Sequence, residues 1–300
     1  MKWLVCTVLS LLGTNVVAQD LSNAPTAAVE RTMMDSGDYR SKTQDWLIAP
    51  GGSGSVGGGF TFMTADGDLG GVLGTRRLKF TDVVLLGLQS RYSLGGIAEV
   101  SLATSLLPKQ PSTTDELAWQ SASLGFRIGL TDHLLTALSF AGGPTLDQSG
   151  GWTSAQLGLG WRYAVNPYMV FDGGVHGRGT ALFIEDEAPW FGEVATNVQL
   201  VLPNPGIAAF WCGVEFTFPV ASNATTSLPI DPQTRANVMV GGVLSFVDDW
   251  DIYATYAFID RGDLVDPATT LPILDGGFDQ QQLTVGVAYR FEGSTKTASR

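Results

Sequence analysis

The sequence predicts an all-β fold, a transmembrane antiparallel up-and-down β-barrel of about 12 strands. From residue 56 onward, short segments alternate apolar and polar side chains over about 9–11 residues, the length that a tilted membrane strand needs. The connections between these segments are alternately short and long. The chain is 44% hydrophobic, only 15% charged and contains 37 glycines, a composition that suits strands facing lipid. One barrel over residues 56–291 accounts for these observations without a second domain.

The predicted strands follow one another with short gaps. Their bounds are 56–64, 79–93, 96–107, 117–131, 133–143, 152–164, 168–179, 191–202, 207–219, 235–247, 251–260 and 281–291. Every second connection, starting after the second strand, is tight and holds the Gly, Pro, Asn or Asp that turns require. Most of the other connections are longer and polar. Short turns at one rim and long loops at the other are typical of barrels in bacterial outer membranes.

The two faces of the strands separate a barrel from a soluble β-sandwich, whose strands also alternate. In the segment 207–219, one parity is apolar from Ala208 to Phe218, while Glu215 lies on the other parity. The solvated face of a sandwich is normally rich in charged residues. Here the second face is dominated by Gly, Ser, Ala, Gln and Asn, which favours the narrow, wet interior of a barrel.

The last strand carries a recognisable pattern. Polar Thr284 and Gly286, followed by aromatic Tyr289 and Phe291, resemble the C-terminal signal by which Gram-negative outer-membrane barrel proteins are recognised by their assembly machinery. The chain departs from the usual form because residues 292–300 follow the aromatic residue. The resemblance implies a location in the cell outer membrane. It also implies outer-membrane lipid, lipopolysaccharide and the barrel assembly machinery as partners.

The ends of the chain are predicted to differ from the barrel. Residues 1–18 combine a basic start, a short apolar core and a small-residue approach to cleavage, as in a secretory signal peptide. Residues 19–55 are polar and finish in a Gly/Ser hinge. They are predicted to form a disordered periplasmic arm or, alternatively, a lumen plug anchored by Trp46. Residues 292–300 form a short periplasmic tail.

Several classes of function are disfavoured. The net charge of −12 argues against nucleic-acid binding, which needs basic patches. Once the signal peptide is removed, Cys212 is the single cysteine, so no intrachain disulfide and no thiolate metal cluster can form. Two histidines without a cluster predict no metal site and no cofactor. The sequence has no Gly-x-Ser-x-Gly motif and marks no nucleophile, so we expect no enzymatic activity.

Charged residues on the polar parity are the candidate functional residues. The arginines each lie a few residues before a tight turn or before the C-terminal tail, and the carboxylates lie at comparable depth on following strands. They are Arg91, Arg127, Arg162, Arg290, Glu99, Asp172 and Asp251. Two roles are open for this set. It forms a basic constriction that selects anions, or arginine–carboxylate pairs that brace a narrow lumen.

A second group of polar residues is predicted farther from the tight turns. His176, Arg178, Glu193 and Glu215 lie on the lumen parity of the outer half. His176 shares its face with Asp172, four residues earlier on the same strand. Because no nucleophile is marked beside it, we interpret His176 as an ordinary lumen residue.

The predicted strand number leaves two functions open. Barrels of about eight strands are filled by side chains, whereas barrels of about sixteen enclose an aqueous channel. The polar lumen favours an outer-membrane channel or transporter that passes a small solute. The alternative is a closed structural barrel, or one of adhesin or receptor type, that acts through its extracellular loops.

Overall fold

The computed structural model shows a closed antiparallel barrel of twelve strands. It describes residues 47–69, 76–107, 118–144, 150–184, 188, 190–223, 234–247, 249–261 and 278–291. The predicted signal peptide, Trp46 and the predicted tail lie outside these residues. No helix in the described ranges is long and apolar enough to cross a membrane.

Each strand pairs with its neighbours in the chain, and β1 pairs with β12 to close the barrel. The strands are β1 Gly54–Leu69, β2 Arg76–Leu94, β3 Ala98–Leu107, β4 Ala118–Thr131, β5 Leu134–Pro144, β6 Gly150–Asn166, β7 Met169–Ile184, β8 Trp190–Asn204, β9 Ala208–Ser222, β10 Arg235–Val247, β11 Trp250–Arg261 and β12 Phe278–Phe291. The prediction of a twelve-stranded barrel is therefore confirmed.

Some strand ends differ from the prediction. The largest differences occur at the long-loop rim, where β1 continues to Leu69 instead of residue 64 and β7 continues to Ile184 instead of residue 179. Antiparallel pairing needs only backbone hydrogen bonds, so a hairpin can extend beyond the segment where the side chains alternate. At the other rim β1 begins at Gly54, and part of the predicted hinge therefore belongs to the barrel wall.

The side chains alternate between an exposed outer face and a buried lumen face. On β12, Leu283, Val285, Val287 and Tyr289 are exposed, whereas the residues between them are mostly buried. Leucine, isoleucine, valine and aromatic side chains cover the outer face of the other strands as well. An apolar surface of this extent is stable in lipid but not in water.

Exposed aromatic residues lie near the tight-turn ends of the strands, as an interfacial girdle requires. Tyr92, Trp161, Tyr163 and Tyr289 are exposed there, and the ring centroids of Trp250 and Tyr289 lie 5.2 Å apart.

Five tight turns define one rim, as predicted, and we call it the tight-turn rim. Two of these turns require glycine. Gly95 and Gly96 between β2 and β3 have φ angles of 65° and 72°, and Gly206 between β8 and β9 has a φ angle of 77°. Residues that carry a side chain are strained at positive φ angles. These glycines therefore allow the chain to reverse direction within a few residues.

The seam between β1 and β12 confirms that the last strand closes the barrel. Val56 pairs with Tyr289, and Gly59 pairs with Gly286. Thr61 Oγ1 and Thr284 Oγ1 lie 3.0 Å apart across the seam.

Gly59→Ala is expected to destabilise the barrel by about 1–3 kcal/mol, the usual cost of overpacking. A Cβ atom at position 59 would overlap the Val285 carbonyl oxygen and lie 2.9 Å from Gly286 Cα. Gly87 pairs with Gly59 on the other side, but a Cβ atom there would lie 3.8 Å from its nearest neighbour. Gly87→Ala is therefore the matched control. Urea unfolding in lipid vesicles should show a lower midpoint for Gly59→Ala only.

Candidate functional site

The lumen contains charged side chains in balanced number. Five arginines and five carboxylates of the described residues are buried on the lumen face. They are Arg91, Arg127, Arg162, Arg178, Arg290, Glu99, Asp172, Glu193, Glu215 and Asp251. Every charged residue singled out in the sequence therefore lies inside the barrel. They form three groups near the tight-turn rim and one deeper layer, which lies farther from that rim.

The first group, which we call the rim triad, joins β2, β3 and β4. Glu99 Oε2 accepts hydrogen bonds from Arg91 Nη2 and, at 3.2 Å, from Arg127 Nη1. Glu99 and Arg127 are register partners on adjacent strands, and Arg91 reaches Glu99 diagonally across the β2–β3 hairpin. One carboxylate therefore offsets part of the charge of two buried arginines.

The other two rim groups are arginine–carboxylate pairs. Arg162 and Asp172 face each other across the β6–β7 hairpin in bidentate geometry, with Nε–Oδ1 and Nη2–Oδ2 distances of 2.7 and 2.8 Å. Arg290 Nε lies 3.1 Å from Asp251 Oδ2, joining β12 to β11. Bidentate pairing fixes both side chains in one geometry.

The deeper layer contains the residues predicted for the outer half. Arg178 pairs with Glu193 directly across β7 and β8. Glu215 Oε1 accepts a hydrogen bond of 3.2 Å from Asn237 Nδ2 on the next strand. His176 is also buried on the lumen face, in the same row as Asp172 and Arg178.

Sequence reasoning missed an apolar cluster in the lumen. It contains Val170, Val201, Ala209, Trp211, Val243, Tyr253 and Ala288. Trp211 lies against Gly241 and Tyr253 lies against Gly286, so each ring occupies the space that a side chain on the adjacent strand would fill. Large aromatics on the otherwise polar parity were the available signal. The interior is therefore packed near the tight-turn rim and is not the uniformly wet lumen that the composition predicts.

The residues before β1 also contribute to the lumen. Ala49 is 1% exposed, and its backbone N–H donates a hydrogen bond of 2.7 Å to Glu99 Oε1. Leu47 and Ile48 pack against Leu135 and Ala137 on the lumen face of β5. We call residues 47–50 the mouth segment. The sequence allows a lumen plug within residues 19–55, and a short apolar run at Leu47 and Ile48 is the local signal for this position.

The described lumen side chains can bind a solute through hydrogen bonds and act on it through their charges. Within the described ranges, no group of three or more His, Cys, Asp or Glu side chains is placed to hold a metal ion. The buried arginines and carboxylates balance in number, so the described lumen has little net charge. Hydroxyl and amide groups supply the remaining polar surface.

A closed antiparallel barrel with an apolar exterior and polar side chains inside has the fold of outer-membrane β-barrel proteins. The translocator domain of the autotransporter NalP from Neisseria meningitidis is similar, with 14% identity, coverage of 91% of this chain and 99% of that chain, and a TM-score of 0.51. An outer membrane channel from Pseudomonas putida F1 is similar with 9% identity, coverage of 83% and 98%, and a TM-score of 0.52. At these identities the likeness shows the fold alone. No family model matches the chain. No curated protein matches it by sequence.

Proposed function

We propose that this protein lies in the outer membrane and forms a narrow channel that conducts a small solute. The main support is the polar lining of the lumen, which includes the rim triad near the tight turns and the Arg178–Glu193 pair farther from them. The similar structure from Pseudomonas putida F1 is an outer membrane channel, which agrees with this proposal. In the outer membrane, the tight-turn rim faces the periplasm and the long loops face the cell exterior. The C-terminal strand serves as the signal for barrel assembly.

The charge arrangement favours an uncharged, hydrogen-bonding solute. Rim arginines that pair with carboxylates do not form a simple basic constriction, and bracing accounts better for them. Among the described residues, the hydroxyls of Ser139, Thr217 and Thr255 and the amide oxygen of Asn237 have no hydrogen-bond partner in the protein. Buried polar atoms of this kind need a partner, which water or a polar solute can supply.

Recording from refolded protein in planar lipid bilayers tests the channel. We expect discrete conductance steps, with a reversal potential near zero in a salt gradient because the lumen charges balance. Liposomes that contain the protein should swell faster in solutions of uncharged sugars than in solutions of salts whose ions have a comparable size. Empty bilayers and protein added without refolding are the controls. The complete absence of conductance steps and of swelling would overturn the proposal.

A closed barrel that acts through its extracellular loops is the second candidate. The observation that favours it is the packing of the tight-turn mouth, where Glu99, Trp211 and Tyr253 are each buried to at least 96%. Under this alternative the ion pairs only brace the wall. Neither the wild-type protein nor variants that empty the mouth would then conduct ions.

A further inference from the structure

We propose that the tight-turn mouth of the lumen is a binding site for an extended peptide and that the mouth segment is its occupant. The bound segment narrows the lumen, and its release opens it. The binding site does not depend on the proposed function. The opening of the lumen when the segment is released rests on the proposed channel. The argument depends on how the barrel wall contacts residues 47–50.

The wall recognises the backbone of the segment. Glu99 uses one carboxylate oxygen for the two arginines and the other for the Ala49 N–H, at 2.7 Å. Ser93 Oγ donates a hydrogen bond of 2.6 Å to the Ala49 carbonyl oxygen. Arg127 Nη2 donates a longer one, of 3.4 Å, to the Leu47 carbonyl oxygen. Both polar groups of Ala49 are therefore satisfied by side chains of the wall.

The wall also provides space for the apolar side chains. A Cβ atom at Gly129 would lie 3.1 Å from Ile48 Cγ1, so the missing side chain makes room for Ile48. Leu135 and Ala137 form the adjacent apolar surface. Paired polar contacts to the backbone beside an apolar surface are the features of a site for a short, apolar, extended peptide.

The connection to β1 keeps the segment at the site. Gly52, with a φ angle of 81°, turns the chain from the mouth segment toward the wall. Gly52 N–H donates to the Ser93 carbonyl oxygen at 2.9 Å, and Ser93 N–H donates to the Ser53 carbonyl oxygen at 2.8 Å. A tether of only a few residues gives the segment a high effective concentration at the site. Binding within one chain is therefore favoured over binding of a separate peptide.

The segment can leave without opening the barrel. Its contacts are made by side chains of the wall, and the strand pairing of β2 with β3 and of β3 with β4 does not involve it. The apolar cluster around Trp211 occupies the other side of the mouth, on β7 to β12. The segment and the cluster together narrow this end of the lumen, so release of the segment widens it.

A cysteine reporter tests the binding site. Ala49→Cys is introduced together with Cys212→Ser, because Cys212 is exposed on the outer face. A water-soluble maleimide should label position 49 at least about tenfold more slowly in folded than in urea-unfolded protein, since burial excludes the reagent. Adding Ser93→Ala removes one hydrogen bond and should speed labelling about fivefold. Equal rates in folded and unfolded protein, or no response to Ser93→Ala, would overturn the site.

Bilayer currents test the closure. Ala49→Pro removes the N–H that donates to Glu99 and leaves every wall residue intact, so we expect a several-fold larger mean current. Pro205→Ala is the control because Pro205 is exposed in the β8–β9 turn of the same rim and lies outside the mouth segment, so its current should equal that of the wild type. Conducting protein with the same current in both variants would overturn the closure. If position 49 is labelled slowly but neither the wild type nor any variant conducts, the peptide site is upheld and the channel is overturned.

Discussion

Arg162→Ala is expected to lower the free energy of unfolding of the barrel by about 3–5 kcal/mol, the usual cost of removing one partner of a buried ion pair. The Asp172 carboxylate is 3% exposed and accepts two hydrogen bonds from the Arg162 guanidinium. After the substitution this carboxylate loses that partner while it stays buried. Urea unfolding in lipid vesicles, followed by tryptophan fluorescence, measures the change.

The double variant Arg162→Ala/Asp172→Ala is the control for this prediction. It removes both charges, so we expect it to recover part of the lost stability even though it deletes more atoms. If the double variant is destabilised relative to the wild type by the sum of the effects of Arg162→Ala and Asp172→Ala, the two side chains do not interact. The bidentate pair would then make no contribution to bracing the wall.

Glu99→Ala is expected to make the channel several-fold more permeable to anions than to cations. The rim triad then contains two arginines without their shared carboxylate, and the balance of described lumen charges shifts by one toward the positive side. A ring of positive charge at a narrow mouth attracts anions and repels cations. The reversal potential in a salt gradient measures this change, and the effect should weaken at high salt.

The matched control is Glu99→Ala combined with Arg91→Ala. This variant restores the balance between arginines and carboxylates while it still lacks the Glu99 contact to Ala49. Its reversal potential should return toward that of the wild type, whereas its mean current should exceed that of the wild type because the mouth segment has lost its contact to Glu99. If the double variant keeps the reversal potential of Glu99→Ala, the geometry of the mouth, and not its charge, sets the selectivity.

The strands and their two faces could be predicted because alternation is a local property of the sequence. The pairing across tight turns was also accessible. Arg162 and Asp172 lie at equal distances from Pro167, so a short hairpin places them opposite each other. Glu99 with Arg127, and Arg178 with Glu193, face each other across long loops instead. Loop length leaves the register undetermined, and the sequence alone could not assign those partners.

The sequence allows a lumen plug within residues 19–55, but the contacts of the mouth segment and the aromatic cluster were beyond sequence reasoning for a different reason. Tyr253 fits because Gly286 lies beside it on the next strand, and Ile48 fits because Gly129 leaves a gap. Each fit joins residues that are distant in the chain and have no shared pattern. Only the closed geometry of the wall brings them together.

The seam between β1 and β12 has a consequence for the order of assembly. Thr61 and Thr284 are 223 residues apart in sequence, whereas the other strand pairs form between consecutive strands of the chain. Joining distant residues costs the most chain entropy, so the neighbouring hairpins are expected to form first and the seam last. Until then, β1 and β12 are both open edges that can pair with other chains. Folding of this barrel is therefore most vulnerable just before it closes.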